Sequence, residues 1–344
     1  MNLRLLGFDQ FFLGQLDDYE SEINRVARVM AVHRGVIEIH NGESLYKAPL
    51  KAVDEVMPTV GDFLLIEGKF TEDVIKVAKI FERKGLLRRK SAGTKLESQA
   101  IAANLDTVLL VSSMNEEFNL NRLERYLVAI EDSGATPVIV LSKADLTDES
   151  DLFESKISDS FNSIQITRVS SETGEGIQDI EEILSSGVTA AVVGSSGVGK
   201  STLINCLCKN ADQKTKAISF FDKGSHTTTS RQVILSDNGA LIIDTPGMRE
   251  FSPIIESGSL GSTFEDIELA MTQCKYRNCS HTTEEGCQIL LSIQDGSIDE
   301  RRWKNFGKLQ REQQRLNDKS KTNSKARWKD IHKAMRVIQK DGKN

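Results

Sequence analysis

The order of five short polar motifs restricts how this chain can fold. Along the sequence they are Ser142-Lys143-Ala144-Asp145, Ser170-Ser171-Glu172, Gly194-Ser195-Ser196-Gly197-Val198-Gly199-Lys200-Ser201, Thr227-Thr228-Thr229 and Asp244-Thr245-Pro246-Gly247. The third motif is a glycine-rich loop of the kind that cradles phosphates, and in an ordinary small domain built on these motifs it comes first. A sheet that brings them to one edge must therefore be circularly permuted, and the chain beyond the last motif must form something else.

Apolar segments that precede the motifs predict the sheet itself. Strands are expected at 107–111, 138–141, 164–169, 188–193 and 241–243, with helical stretches between them. Such alternation is typical of a mainly parallel α/β sheet covered on both faces, which binds ligands at the carboxyl ends of its strands. One helix is predicted by apolar residues spaced from Leu123 to Ile130, with Asn121 and Glu124 as a capping pair and Gly134 as its end.

The phosphate-loop motif predicts a nucleotide site. Backbone N–H groups of such a loop point at the phosphates, and the helix that follows adds partial positive charge. Lys200 should reach the β- and γ-phosphates, and the Ser201 hydroxyl should bind Mg²⁺. The residues expected to surround the nucleotide here are Gly194, Ser195, Ser196, Gly197, Val198, Gly199, Lys200, Ser201 and Thr202.

The first two motifs indicate which base is bound. The Asp145 carboxylate can accept two hydrogen bonds from guanine N1 and N2, which adenine cannot offer, so adenine would leave a polar group unpaired. Lys143 should lie across the base, and Ser171 or its backbone neighbours, Ser170 among them, should meet the guanine carbonyl. The chain is therefore expected to bind GTP and GDP.

The last two motifs should sense the γ-phosphate. Asp244 is expected to hold Mg²⁺ through water, Gly247 to contact the γ-phosphate, and Thr228, chosen by position only, to bind the metal. Met248 follows Gly247, and a thioether cannot orient an attacking water. Either His226 orients this water or a partner supplies the group that does, and His226 has a packing role as its alternative. We therefore expect GTP hydrolysis by the protein alone to be slow and to become faster when a partner binds.

Three of the five cysteines cluster with a histidine. Cys274, Cys279, His281 and Cys287 offer three sulfurs and one imidazole, enough for a closed tetrahedral zinc site of structural type, with free thiols as the alternative. Cys206 and Cys208, in the helix after the phosphate loop, are expected to be small buried or half-buried apolar residues. An odd cysteine count favours a reducing compartment.

The N-terminal third reads as short strands. Five runs, near 25–32, 35–39, 44–48, 63–66 and 74–80, predict a small all-β barrel of the oligonucleotide-binding (OB) type. A basic stretch without an apolar period follows and is expected to be a linker. We expect residues 1–84 to form the OB-fold domain with a short leader, 85–100 the linker, 101–258 the permuted GTPase domain and 259–344 a helical zinc-binding domain with a basic tail.

The charge distribution points to nucleic acid. Residues 301–344 contain 15 Lys and Arg and four acids, which gives this segment a net charge of +11. Because the whole chain has a net charge of −6, the first 300 residues carry a net charge of −17. A basic tail on an acidic body is common in proteins that touch nucleic acid through one end, although a solvated helical surface has the same composition. Trp303 and Trp328 lie among these basic residues, and Trp303 is interpreted either as an RNA-stacking residue or as an anchor on the zinc module. Without a long apolar run or signal peptide, a cytoplasmic monomer is expected.

Together these features resemble the bacterial ribosome small subunit-dependent GTPase A (RsgA-type) family over about residues 25–315. The resemblance is carried by Asn104-Leu105-Asp106, Arg125-Tyr126-Leu127, the phosphate loop, Gly224 to Thr229, Asp244 to Phe251 and the zinc set. It implies late maturation of the 30S subunit, binding to 16S rRNA through the flanking domains, and subunit-stimulated GTP hydrolysis. Ser142 departs from the usual Asn, which mostly buttresses the loop, and Ser225 also departs. The change at 142 is expected to loosen nucleotide affinity without removing guanine preference.

Three rival functions compete with this interpretation. One is a GTP-controlled RNA-binding checkpoint in which hydrolysis is incidental, and another is a permuted GTPase that acts on a different ribosomal particle. A small-molecule kinase would share the phosphate loop, but Asp145 and the Asp244 to Gly247 motif argue against it.

Overall fold

The computed structural model describes residues 2–90, 98–161, 164–208, 231–244 and 260–315. They fall into two compact units. The first runs to Arg89, resumes at Gln99 and continues through the last strand of the main sheet, and the second contains residues 260–315 together with Lys90 and Ser98. Within these ranges, every helix is too short or too polar to cross a bilayer.

Eleven strands form one mixed sheet, and two more pair separately. In chain order the strands of the described residues are β1 (Val26–His33), β2 (Val36–His40), β3 (Leu45–Pro49), β4 (Phe63–Ile66), β5 (Val77–Ile80), β6 (Leu86–Lys90), β7 (Ser98–Ala103), β8 (Thr107–Ser113), β9 (Thr136–Ser142), β10 (Gln165–Val169), β11 (Thr189–Gly194), β12 (Arg231–Leu235) and β13 (Leu241–Asp244). The main sheet has the order β10-β9-β8-β11-β13-β12-β1-β2-β3, with β4 paired to β1 and β5 to β4, while β6 pairs with β7.

The parallel half of this sheet is the α/β fold that the sequence predicts. β10, β9, β8, β11 and β13 run parallel to their neighbours, so their carboxyl ends meet at one edge. Successive residues of β8 enter opposite cores: Val108 and Leu110 pack in one cluster, Leu109 and Val111 in the other. Both faces are therefore buried, which explains the continuous apolar runs.

Six α-helices belong to the first unit within the described ranges. They are α1 (Gln10–Leu13), α2 (Tyr19–Glu22), α3 (Leu120–Asp132), α4 (Ser150–Ser158), α5 (Ile177–Ile183) and α6 (Lys200–Leu207). The predicted capping pair of α3 is wrong. Asn119 is the N-cap, and its side-chain oxygen accepts from the Arg122 N–H at 3.0 Å, whereas Glu124 is fully buried. The helix starts earlier than its apolar spacing indicated because its first turn is polar.

The N-terminal strands form an antiparallel arrangement in the order β3-β2-β1-β4-β5. All five expected strands are present, and β1 bends at a register shift between Val29 and Ala31, which lets it pair with three neighbours. The third neighbour is β12: Ala31 lies opposite Gln232 and Val32 opposite Arg231. β1 thus joins the N-terminal strands to the parallel sheet through backbone hydrogen bonds, a connection that no sequence pattern indicated.

A buried arginine reinforces this junction. Arg28 of β1 is 1% exposed and donates to the carbonyls of Leu6, Gly61 (3.3 Å) and Asn104 (3.4 Å) and to the Thr189 hydroxyl (2.8 Å). Burial lowers the pKa of Arg28 to about 10, which still leaves it charged at neutral pH. Its partners come from the N-terminal turn, the loop before β4, the loop after β7 and the start of β11, so one side chain connects four parts of the unit.

The segment 85–100 contains more regular structure than a linker. Its described residues include β6 and the start of β7, which pair as a two-stranded sheet. Cross-strand pairing stabilises strands that have no apolar period of their own, and this is why the basic sequence did not indicate them. The division of the chain at 84, 100 and 258 stays a prediction.

The second unit is helical. It contains a 3₁₀ turn (Ser262–Phe264), α7 (Glu265–Thr272), α8 (Gln288–Gln294) and a helix over residues 300–315. Its buried apolar residues within 260–315 include Phe264, Ile267, Ile289 and Phe306. Arg302 binds both carboxylate oxygens of Asp266, at 2.7 and 3.1 Å, and so ties the last helix to α7.

Candidate nucleotide site and metal centre

The glycine-rich loop joins β11 to α6 and has the conformation its sequence predicts. Gly194 has φ +144°, and a Cβ there would lie 2.2 Å from the Val111 carbonyl oxygen of the neighbouring strand. Gly199 caps α6 with φ +95°, a left-handed conformation that other residues adopt only with strain. The helix begins at Lys200, as expected, so its free N–H groups open onto the loop.

Lys200 bends back over the loop. Its ammonium donates to the carbonyls of Gly194, at 2.9 Å, and Ser195. Burial lowers the pKa of Lys200, and the charge of Asp244 at the end of β13 opposes that effect. Ser201 and Thr202 are exposed in the first turn of α6. The structure thus places Lys200, Asp244 and the first turn of α6 at the same sheet edge.

Ser142, the departure from the usual asparagine, anchors the phosphate loop. Its hydroxyl donates to the Val198 carbonyl at 2.6 Å and lies 3.3 Å from the Ser112 carbonyl. The side chain is 6% exposed at the end of β9. The Ser142 hydroxyl therefore links the base-side motif to the phosphate loop. The Val198 carbonyl of the loop has a hydrogen-bond donor even though serine stands where asparagine is usual.

The two base-side motifs are brought together as predicted. The Ser170 hydroxyl donates to one carboxylate oxygen of Asp145 at 2.6 Å, and itself accepts from the Thr173 N–H at 3.1 Å. This hydrogen bond fixes the carboxylate of a residue that is otherwise exposed. Lys143 adopts a left-handed conformation with φ +63°, and the Ser171 carbonyl accepts from the Cys206 thiol at 3.5 Å.

The Ser195 hydroxyl makes contacts that the motifs did not indicate. Arg122 of α3 donates to it at 2.6 Å, and it shares a hydrogen bond with the Tyr126 phenol. Arg122 and Tyr126 are one turn apart on one helix face, but Ser195 lies 73 positions after Arg122, so no local sequence pattern indicates this contact.

Three residues of the predicted site lie outside the described residues: His226, Thr228 and Gly247. Their roles at the γ-phosphate and in water activation stay predictions. The two other cysteines of the chain are placed as expected, because Cys206 is buried and Cys208 half-buried in or just after α6. Burial raises the pKa of the Cys208 thiol to about 12, which keeps it protonated and unreactive.

In the second unit, Cys274, Cys279, His281 and Cys287 come together as the sequence predicts. Their ligand atoms lie within 4.8 Å of one another, and His281 Nδ1 is 3.5 Å from the sulfurs of both Cys274 and Cys287. Tetrahedral zinc with bonds of about 2.3 Å to sulfur and 2.0 Å to nitrogen places these atoms about 3.5 Å apart. The donor set and its spacing therefore fit a zinc ion with four protein ligands.

Neighbouring residues hold this cluster in shape. The Glu284 carboxylate accepts from the Ser280 hydroxyl and from the backbone N–H groups of Ser280 (2.7 Å), Thr282 (3.0 Å) and Thr283 (3.1 Å). The bond from the Ser280 hydroxyl, followed by those from the Ser280 and Thr282 N–H groups, holds the pKa of this carboxyl well below its usual range. The Trp303 ring packs edge-on against His281, with centroids 5.5 Å apart, and stacks on Phe306 at 5.7 Å. Of the two interpretations of Trp303, the anchor on the cluster is the one that its contacts support.

The permuted strand order, the phosphate loop and the paired base-side motifs define a circularly permuted P-loop GTPase. The RsgA GTPase family model matches residues 80–253, and the model for 50S ribosome-binding GTPases matches residues 189–328. The chain belongs to the RsgA GTPase family and hydrolyses GTP.

Relatives of this family match almost the whole chain. "Small ribosomal subunit biogenesis GTPase RsgA 2" of Vibrio parahaemolyticus is 39% identical over 90% of this chain and 86% of its own length, and an RsgA 1 of Listeria innocua is 38% identical over 98% of both chains. Among solved structures, YjeQ from Thermotoga maritima superposes with a TM-score of 0.62 at 27% identity, over 84% of this chain and 98% of that one. YloQ, described as a circularly permuted GTPase, has a TM-score of 0.58 at 21% identity over 84% of this chain and 94% of its own, and supports the fold.

Proposed function

We propose that this chain acts in the biogenesis of the small ribosomal subunit, where it binds the 30S particle and its 16S rRNA and hydrolyses GTP faster when bound. The observation that carries the proposal is the likeness, over nearly the full length, to proteins named for small-subunit biogenesis. The anchored phosphate loop and the Asp145 and Ser170 pair supply the chemistry that such a role needs.

Guanine recognition is assigned to the base-side motifs. Asp145 accepts from guanine N1 and N2, Lys143 covers the base and Ser171 meets its carbonyl. Support comes from the hydrogen bond that Ser170 gives to Asp145, because a carboxylate held in place loses less freedom when the base binds. Ser142 acts through Val198 and is a positioning residue.

The phosphates and their Mg²⁺ are assigned to the edge formed by β11, α6 and β13. The loop residues 194–199 and Lys200 bind the phosphates, with Thr202 beside them, and Ser201, Thr228 and Asp244 are the proposed Mg²⁺ ligands. Bound Mg²⁺ would neutralise developing charge on the phosphates. Gly247 is proposed to sense the γ-phosphate, and His226 to orient the attacking water because Met248 cannot.

RNA contacts are assigned to the regions that precede and follow the GTPase domain in the sequence. β1 to β5 have the strand order β3-β2-β1-β4-β5 and a bent first strand, which supports an oligonucleotide-binding barrel. The basic tail from 301 to 344 supplies positive charge for phosphate contacts. A structural zinc ion at the Cys3His cluster would stabilise the second unit, and the protein is proposed to work as a cytoplasmic monomer.

GTP hydrolysis measured with and without purified 30S subunits tests the proposal. We expect turnover to rise at least tenfold with 30S particles and not with 50S particles, and ATP to be hydrolysed in neither case. Asp145→Asn, which loses one acceptor for guanine, should abolish GTP turnover at micromolar nucleotide.

The measurement with 50S particles distinguishes the proposed function from its main alternative, a GTPase that acts on the large ribosomal particle. The match to a family of 50S ribosome-binding GTPases favours a protein that acts on the large particle. Stimulation by 50S instead of 30S would select that rival. Stimulation by neither, with GTP-dependent 30S binding intact, would leave a checkpoint in which hydrolysis is incidental.

A further inference from the structure

One residue of the phosphate loop is held from two sides by positive charges. The ammonium of Lys200 lies on the Ser195 carbonyl, and the guanidinium of Arg122 donates to the Ser195 hydroxyl at 2.6 Å. Lys200 belongs to the loop motif, but Arg122 comes from α3, 73 positions earlier in the chain than Ser195. Arg122 is therefore a contact between the loop and an element outside the five motifs.

The part of α3 that carries Arg122 is well fixed. Asn119 caps the helix by accepting from the Arg122 backbone N–H, and Leu123 and Leu127 are buried in the larger apolar cluster. Tyr126 is 4% exposed and shares the Ser195 hydroxyl with Arg122. Hydrogen bonds from two side chains of one helix restrict the Ser195 hydroxyl, and because the side chain is short they also restrict the loop backbone at Ser195.

The competing ion pair of Arg122 is weak. Glu117 lies 3.8 Å from the guanidinium, and the two side chains are 61% and 42% exposed. Exposed pairs of this length contribute little, so Glu117 does not draw Arg122 away from the loop. By contrast, a hydrogen bond from a guanidinium to a hydroxyl at 2.6 Å is short and charge-assisted.

We propose that Arg122 is a positioning residue for the phosphate loop, which it holds through the Ser195 hydroxyl in the conformation that accepts the phosphates of GTP. The proposal rests on the nucleotide site proposed above and deepens it. Its physical basis is preorganisation, because a loop that is already ordered does not have to lose conformational freedom when the nucleotide binds. Removing Arg122 should therefore weaken nucleotide binding, and removing the Ser195 hydroxyl, which Tyr126 also contacts, should weaken it at least as much.

The test is a double-mutant cycle on the full-length protein. Arg122→Ala and Ser195→Ala should each raise the Kd for N-methylanthraniloyl-GDP and the KM for GTP about fivefold to tenfold, the loss expected for one charge-assisted hydrogen bond at a half-exposed site. The double variant should be no weaker than Ser195→Ala, because loss of the Ser195 hydroxyl already removes the interaction with Arg122. The loss should appear in KM rather than in kcat.

Two variants separate positioning from other roles. Arg125→Ala removes a neighbouring arginine of the same helix and should change the Kd by less than about twofold. Arg122→Lys keeps the charge and the reach but not the planar fork, and should recover part of the affinity. Melting temperatures of all variants should stay within about 2 °C of the parent, since Arg122 is exposed.

Three results would overturn the proposal. The first is a double variant whose loss of affinity equals the sum of the losses in the two single variants. The second is a higher Kd for Arg122→Ala with an unchanged Kd for Ser195→Ala, which would mean that Arg122 contacts the nucleotide directly. The third is an unchanged Kd in both single variants. Failure of the proposed nucleotide site itself is distinguishable, because then the parent protein and Asp145→Asn would bind the probe equally poorly.

Discussion

The two units of this protein differ in the interactions that stabilise each of them internally. The first has two large apolar clusters on the faces of its parallel half and a third among the N-terminal strands. Within residues 260–315, the second has fewer buried apolar residues, and it gathers three cysteines and a histidine. Small domains that cannot bury enough apolar surface commonly depend on metal ligands, so the first unit is stabilised mainly by its core and the second by its cluster.

Both units also bury an arginine, but with different partners. Arg28 in the first unit donates to three carbonyls and one hydroxyl. Arg302 in the second pairs with Asp266 in a bidentate arrangement and donates to the Thr263 carbonyl at 2.7 Å. Arg28 is thus held by backbone geometry, whereas Arg302 depends on an acidic side chain that is 36% exposed.

Zinc removal should produce the largest difference in stability between the two units. A chelator, or Cys279→Ala, is expected to unfold the second unit, since the four ligands would join the end of α7 to the start of α8 through the metal. The two tryptophans of the chain, Trp303 and Trp328, both lie beyond residue 260, so their fluorescence reports on that part of the protein. The first unit should keep its affinity for a fluorescent GDP analogue.

Cys208→Ala is the matched control for this prediction, because it removes a cysteine of the first unit and should leave the zinc content unchanged. Simultaneous loss of nucleotide binding and of the tryptophan signal on chelation would contradict the contrast between the units. So would a zinc content of zero in the parent protein.

Loss of Arg28 should have the next largest effect. Arg28→Met keeps much of the volume but leaves buried carbonyls without a donor, and we expect the free energy of unfolding of the first unit to fall by about 2–4 kcal/mol. Urea denaturation followed by the release of a fluorescent GDP analogue measures it. A change below about 0.5 kcal/mol would mean that β1 and β12 are joined by the strand ladder alone.

The contrast between the units also explains which features the sequence could reveal. Cys274, Cys279, His281 and Cys287 are recognisable because metal ligation demands particular residue types within a short stretch. The strands of the parallel half are recognisable because burial on both faces demands continuous apolar runs. Motifs and runs of this kind are local, so the parallel fold and the cysteine cluster could be predicted from the sequence alone.

Contacts between distant segments left no such signal. The ladder between β1 and β12 joins residues about 200 positions apart through backbone groups that every residue carries. Arg122 contacts Ser195 across 73 positions, and nothing in the local sequence of either one indicates the other. Asn119 rather than Asn121 caps α3, because either asparagine suits a cap and only the packing of the helix decides.

Arg302 provides a smaller test of the second unit. Arg302→Ala should lower the stability of that unit by about 1.5–3 kcal/mol, because the bidentate pair with Asp266 and the bond to Thr263 are lost together. The midpoint of tryptophan fluorescence in urea, with zinc present, measures the change. Lys304→Ala breaks only an exposed pair with Glu300 and should cost less than about 0.5 kcal/mol. Equal effects in the two variants would show that zinc alone stabilises the unit.

The smallest expected effect is at Ser142. Ser142→Ala leaves the Val198 carbonyl without its 2.6 Å donor, and one neutral hydrogen bond is worth about 1 kcal/mol, so the Kd for both GTP and GDP should rise about fivefold. Ser142→Thr retains the hydroxyl and should bind nearly as the parent does. Ser113→Ala removes another buried hydroxyl from the same sheet edge, one bonded to Asn115 and not to the loop, and should leave the Kd unchanged. If Ser142→Ala bound nucleotide as tightly as the parent, the loop would owe its shape to α3 and its glycines alone, and the serine would fill the position of the asparagine without anchoring the loop.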